Sequence, residues 1–255
     1  MSASYWAAEL QNARPVFVSF LKDLLAHGVA GAVYAPLRTP AGGVAPALVR
    51  DPRRLDEADP FAPVMLINGA RALSALTVGE PPERIAAVLR PCEIRALVEL
   101  VKLKQASLER LIIIGMDCAG TYEISDYARL TQGGDDPALR LLTEAAQGHI
   151  ASLDGYALRP ACRMCEYPSP VLAQITVGFI GVDGLMIDMD EETARLLTPS
   201  WPRIPAGDLS FRQDIVQRLA AERAQQRDRA MADFTGRVSS AAALVPTLGY
   251  EKMQQ

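Results

Sequence analysis

The chain is short of the groups that most enzymes use at neutral pH: among 255 residues there are two histidines and four cysteines, and aromatic residues make up 6%. His27 and His149 fall near the ends of helical patterns, where caps or surface positions account for them, so neither a His-based catalytic site nor a Ser/His/Asp constellation is indicated. No apolar stretch approaches the roughly 18 uninterrupted residues of a membrane span. The start, "MSASYWAAELQNARPV", has no basic segment leading into an apolar run, so a cytoplasmic protein is expected. A formal charge of −4 leaves no basic footprint for nucleic acid. No G-x-G-x-x-G follows a strand-like run, which argues against a Rossmann-type dinucleotide site. In a reducing compartment the few cysteines point to core thiols, metal ligands or redox groups rather than structural disulfides.

What is present reads as one compact α/β region followed by a helical tail, with 49% apolar residues to fill a core. The expected fold is α/β, a mostly parallel sheet flanked by helices, over residues 1–200, with a C-terminal helical tail over 201–255. An amphipathic helix around "VFVSFLKDLLAHG" leads into the strand-like "VAGAVYAPL". The Gly/Pro/Asp-rich passage from "RTPAGGVAP" to "RRLDEADPFAP" reads as exposed loops around the short run "ALV". "PVMLINGARALSALTVGEPPER" is expected to hold a short strand and a helix.

The clearest unit is "RIAAVLRPCEIRALVELVKLKQASLERLIIIGMDC". "RIAAVL" has the length of a buried strand, and "LIIIG" is continuous and β-branched, as strands covered on both faces are. Between them Ile94, Leu97, Val98 and Val101 recur at helical spacing, with Arg95, Glu99 and Lys102 on another face. Strand, helix and strand at this spacing predict a right-handed crossover between parallel strands. Cys92 follows the first strand and opens the helix, and Cys118 follows the second strand. The topology therefore brings both to the sheet edge where open α/β folds place their ligands. The helix N-terminus favours thiolate at Cys92.

"RPACRMCEYPSP" adds Cys162 and Cys165 as C-x-x-C between Pro160 and Pro168. Such a loop aims two sulfurs at one ion or cluster, a pattern shared by zinc sites, redox dithiols and iron–sulfur sites. Together the four cysteines could supply the thiolates of a [4Fe–4S] cluster. The alternative is that Cys92 and Cys118 are ordinary buried thiols.

The succession "LRPCEIRAL", "IGMDC" and "RPACRMCEYPSPVLAQITVGFIGVDG" resembles the coenzyme F-420 hydrogenase/dehydrogenase β-subunit family. The resemblance covers roughly residues 15–195 by the order of elements, and the cysteine segments are its specific part. It implies an electron-transferring iron–sulfur flavoprotein subunit of a larger oxidoreductase, of hydrogenase, formate dehydrogenase or heterodisulfide-reductase-like type. It further implies one FAD, one [4Fe–4S] cluster held by Cys92, Cys118, Cys162 and Cys165, and the deazaflavin coenzyme as a possible substrate. Two features depart from the family. Leu89, Arg90 and Pro91 precede Cys92 where "GTPC" is frequent, which changes the contacts open to a flavin or deazaflavin at that turn. The absence of a C-x-x-C-x-x-C run limits the chain to one cluster, so a second would belong to a partner subunit.

Without a dinucleotide fingerprint, arginines and helix N-termini are the candidate holders of a pyrophosphate. Arg90, Arg95 and Arg163 lie close in sequence to the cysteines, against the alternative of a solvated face. Gly178, Gly181 and Gly184 could let a planar ring approach the backbone, or could simply form a hairpin. Thr121 lies just past Cys118 at the same predicted edge and, with Pro91, completes the candidate cofactor contacts. A competing function class is a zinc-bearing adaptor using the same cysteines, though closed Cys₄ zinc sites assemble from closely spaced pairs and two ligands here are single. In the tail, Asp208 or Ser210 is expected to cap "FRQDIVQRLAAERAQQRDRAMADFTGRV", whose Phe211, Ile215, Leu219 and Phe234 form a sparse apolar stripe. The apolar end "SSAAALVPTLGY" makes this tail a candidate assembly arm, against the alternative of a helix docked on the main domain.

Overall fold

The computed structural model describes residues 2–40, 42–132, 134, 136–150, 152–197, 201–205 and 209–242. Asp208 and the end of the apolar segment, 243–250, lie outside the described residues. The predicted crossover forms as β4 (Ile85–Leu89), α3 (Pro91–Lys102) and β5 (Leu111–Met116), with β4 and β5 parallel. Every residue of β4 is buried, as its uninterrupted apolar run requires. Proline opens α3 at a position whose N–H would have no helical partner. At the third position the Glu93 carboxylate accepts from the Arg90 N–H and from the Gly69 N–H, each at 2.8 Å. That one buried side chain ties the start of α3 to the start of α2 (Gly69–Thr77), whose own cap is Asn68.

The remaining elements are β1 (Ser2–Ala8), α1 (Ala13–Ala26), β2 (Ala32–Arg38), β3 (Val44–Val49), α4 (Ile124–Leu130), α5 (Pro137–Ala146), α6 (Pro160–Arg163), β6 (Ile175–Gly178), β7 (Leu185–Asp190), α7 (Glu191–Leu197) and α8 (Ser210–Ala242). The seven-stranded sheet runs β1-β7-β6-β5-β4-β2-β3. Its four central strands β2, β4, β5 and β6 are parallel, and the flanking pairs β2–β3, β6–β7 and β1–β7 are antiparallel. The sheet is thus mixed, parallel where it positions the cysteines and antiparallel at its flanks. Leu73, Ile94 and Leu97 of α2 and α3 cover one face against Leu89 and Ile113. Phe17 and Leu21 of α1, Leu141 of α5 and Ile215 and Leu219 of α8 cover the other.

Three expectations are corrected. The passage read as exposed loops contains β3, because Gly42 and Gly43, at φ 84° and 77°, turn the chain back onto β2. Pro46 is tolerated there since β3 is an edge strand, and its partner Pro36 lies beyond the part of β2 that pairs with β4. No strand forms in "PVMLI" among the described residues; the Arg90 guanidinium takes the carbonyls of Ala62 and Val64 at 2.6 and 3.0 Å instead of a ladder partner. The tail is not a separate arm over its whole length: Trp201 packs on Phe20, and Arg212, Ile215, Leu219 and Arg223 of α8 are buried against the domain. The outer part of the helix, residues 228–237, is exposed throughout, with Met231 and Phe234 uncovered, and Phe211 at its start is exposed as well.

Candidate metal and cofactor site

Cys92 lies in the first turn of α3, one strand end away from Cys118, which follows β5. The parallel pairing of β4 with β5 brings both to the carboxyl edge of the sheet. β5 continues past its last strand residue, with the Asp117 N–H donating to Val177 O and the Cys118 N–H to Pro168 O, at 2.9 and 2.8 Å. The second bond draws the segment after the C-x-x-C against Cys118. Gly120, at φ 127°, permits the next close approach, since a Cβ there would lie 2.8 Å from Leu158 and 3.4 Å from the Cβ of Cys162. Arg159 N–H to Thr121 O, at 2.9 Å, then fixes the entry to α6 and its Cys162.

The four cysteines, from three separate segments, line one cavity of about 210 Å³. Gly120, Ala161, Arg90, Pro91, Thr121, Met65, Arg159, Tyr167 and Arg223 complete its wall. None of the four is paired in a disulfide. Among the described residues, no three Cys, His, Asp or Glu side chains gather as a single-ion site. A lone zinc ion would need four sulfurs about 2.3 Å from one point.

The electrostatics correct one expectation. Burial pushes the Cys92 thiol up to about 12, with Cys118 and Glu93 adding to the rise and only Arg90 opposing it appreciably. The helix N-terminus therefore does not make Cys92 a thiolate; loss of hydration and neighbouring negative groups outweigh it. Cys118 is likewise pushed up by burial, to about 11, while Arg90, Arg223 and the Gly120 N–H pull the other way. Without a cation these two thiols are held towards the neutral form, so a metal centre bound there would release protons on loading.

Of the other expected contacts, Thr121 is brought to the centre: its hydroxyl lies 3.2 Å from the Cys162 sulfur. Arg95 is not in the cavity wall; it stacks 3.9 Å over the ring of Tyr167, which is. Arg163 turns away from the thiols into a larger cleft of about 740 Å³, together with His149, Arg218, Glu222 and Arg223. Gly178 and Gly181 do not hold space for a cofactor ring, a second correction. Cβ atoms there would lie 3.0 Å from the guanidinium and 3.1 Å from the Cα of Arg212 respectively, so α8 already occupies the approach. At Gly184 a planar ring does approach the backbone, but it is the indole of Trp6.

The groups unforeseen from sequence come mainly from α8. Arg212, 7% exposed, grips Asp117 with Nη1 and Nη2 at 2.7 and 2.9 Å, and also donates to Ser169 Oγ and Ile180 O. Asp117 Oδ2 accepts in addition from the Phe179 and Ile180 N–H groups, both at 2.9 Å. Arg223, farther along the same face, donates to Ala119 O at 2.6 Å and to Cys118 O at 3.5 Å. The helix therefore clamps the segment that carries Cys118 from both sides.

Fold and site together define an α/β protein with a cavity lined by four cysteines at the carboxyl edge of its parallel strands. No family model matches the chain. Over 119 residues it is 28% identical to the β subunit of F420-dependent formate dehydrogenase 1 of Methanococcus maripaludis. Over 121 residues it is 26% identical to the F420-dependent formate dehydrogenase β subunit of Methanocaldococcus jannaschii. Each alignment spans 40% of this chain and 31% of the relative's length. A solved chain of the F420-reducing [NiFe] hydrogenase complex from Methanosarcina barkeri has the same fold, with a TM-score of 0.62 and 12% identity over 91% of both chains. These likenesses support the coenzyme F-420 hydrogenase/dehydrogenase β-subunit family that the cysteine segments resemble. No helix among the described residues is long and apolar enough to cross a membrane.

Proposed function

We propose that the chain is the electron-transferring iron–sulfur flavoprotein subunit of an F420-dependent oxidoreductase complex, of formate dehydrogenase or hydrogenase type. The observation that carries this reading is the convergence of Cys92, Cys118, Cys162 and Cys165 on one cavity of about 210 Å³. Four cysteine ligands are what a [4Fe–4S] cluster requires, and two single, widely separated ligands suit a closed zinc site less well than closely spaced pairs would. Thr121 would hold the Cys162 sulfur through its hydroxyl, Gly120 the Cys118 sulfur through its N–H, and Pro91 and Met65 would keep water from the group.

The adjoining cleft of about 740 Å³ falls in the size range of cofactor pockets, and Arg163, Arg218 and Arg223 give it cations suited to a pyrophosphate. It is the proposed place of FAD, with the deazaflavin as the substrate that would exchange electrons there. Bound FAD would supply the conversion between two-electron and one-electron transfer, and the cluster the one-electron exit. The exposed outer part of α8 remains the proposed contact to partner subunits.

The test is anaerobic purification of the wild type and of four single Cys→Ser variants, with iron and acid-released flavin measured on each. Wild-type protein is expected to contain about four iron atoms per chain, and each variant to lose iron. A variant that keeps full iron removes that cysteine from the ligand set. No saturable FAD binding by cluster-intact protein would remove the flavin and leave the cluster.

A further inference from the structure

Two arginines on one face of α8, about three helical turns apart, are buried nearly to the same degree, Arg212 at 7% and Arg223 at 6% exposure. Their charges are treated differently. Arg212 is neutralised by a bidentate pair with the fully buried Asp117. Arg223 bonds only carbonyl oxygens, those of Ala119 and Cys118, and among the described residues no carboxylate lies within ion-pair reach of it. A guanidinium cannot shed its proton to escape burial, and an unpaired buried charge costs several kcal/mol. The two carbonyls satisfy part of its hydrogen-bonding capacity but leave the charge without an opposite partner. Arg223 lines the four-thiol cavity and is, among the described residues, the one that also lines the larger cleft. Arg90, half-buried in the wall of the same cavity, likewise donates to carbonyls, those of Ala62 and Val64.

From this arrangement we infer that Arg223 is a positioning residue that sets the reduction potential of the group held by the four cysteines. The inference rests on the cluster reading above. Four thiolates around an iron–sulfur core leave the assembly with net negative charge, which grows by one on reduction. A fixed cation at the wall stabilises the more negative, reduced form and so raises the potential, charge and hydrogen bonding being the protein's main controls over it. α8 thereby couples its docking to the redox poise of the site, because the same face carries the Arg212–Asp117 anchor next to Cys118.

The experiment is a redox titration, followed by the paramagnetic signal, of anaerobically purified full-length wild type, R223Q and R223K, with iron counted in each. The expected result is unchanged iron in R223Q and a midpoint lowered so that, at a fixed potential, the reduced-to-oxidised ratio falls about tenfold, a shift of about 59 mV for one electron. R223K, which keeps the charge and loses the fork, is expected to stay near the wild-type midpoint. An unchanged midpoint in R223Q overturns the inference and leaves the cluster reading standing. Wild-type protein without iron overturns both. If R223Q does not fold, R223M decides: a lowered midpoint, with R223K near the wild-type value, supports the charge role, and an unchanged midpoint overturns it.

Discussion

Replacing Arg212 by methionine should be among the most damaging single changes available outside the cysteines. The Asp117 side chain is 0% exposed and that of Arg212 9%, so the pair is out of reach of solvent screening. Methionine keeps most of the apolar stem but removes both guanidinium bonds, at 2.7 and 2.9 Å, and leaves a buried carboxylate with only the Phe179 and Ile180 N–H groups. Removing one partner of a buried pair costs about 3–5 kcal/mol, against a total stability of about 5–15 kcal/mol for a domain. At about 2–4 °C per kcal/mol for a chain of this size, the melting temperature should fall by roughly 6–20 °C. Urea unfolding followed by circular dichroism should give a lower midpoint with an unchanged slope. The double variant R212M/D117N, which buries no charge, should recover part of the loss. A cost below about 1 kcal/mol for R212M, the range of an exposed ion pair, would refute the buried clamp between α8 and the Cys118 segment.

Metal-free protein should lose stability at alkaline pH. Cys92 and Cys118 are raised in the folded state to about 12 and about 11, so their contribution is complete below the unfolded thiol value of about 8.5 and is lost as pH rises from there through the folded values. Urea midpoints at two pH values on either side of that threshold should show the fall, and C92S should flatten it; an equal fall in C92S would place the effect elsewhere. Thr121→Val should keep iron but lower the midpoint potential, because the hydroxyl 3.2 Å from Cys162 no longer donates to sulfur; an unchanged titration would deny that bond. Deleting residues 237–255 should leave iron and flavin in place while weakening co-purification with partner subunits, whereas deleting from 210 onward should cost the iron, since the Arg212 clamp on the Cys118 segment goes with it. Iron content that survives the longer deletion would show that α8 is not part of the site.

The crossover that carries Cys92 and Cys118 was legible because its apolar spacing switches cleanly between strand and helix, and parallel pairing then dictates where both cysteines end. The flanking strands were not. "SASYWAA" in β1 is small and weakly patterned, and β3 carries a proline that only an edge strand accepts. The arginines of α8 were hidden because arginine on a sparse helix reads as solvated surface. The available signal was their phase: Arg212, Ile215, Leu219 and Arg223 fall on one face. Asp117 gave another sign, a carboxylate directly after the apolar run of β5 and before a cysteine, where burial demands a partner. The glycines of the β6–β7 hairpin were read for close approach, which holds, but the approaching groups are Arg212, Ile215 and Trp6 rather than a cofactor.

The measurement that tests the four-thiol centre most directly is the metal content of anaerobically purified full-length protein, iron and zinc counted per chain on the same sample together with the paramagnetic signal after chemical reduction. The account predicts about four iron atoms per chain, little zinc and a signal from a single reduced cluster. One zinc per chain in a colourless, paramagnetically silent protein would contradict it.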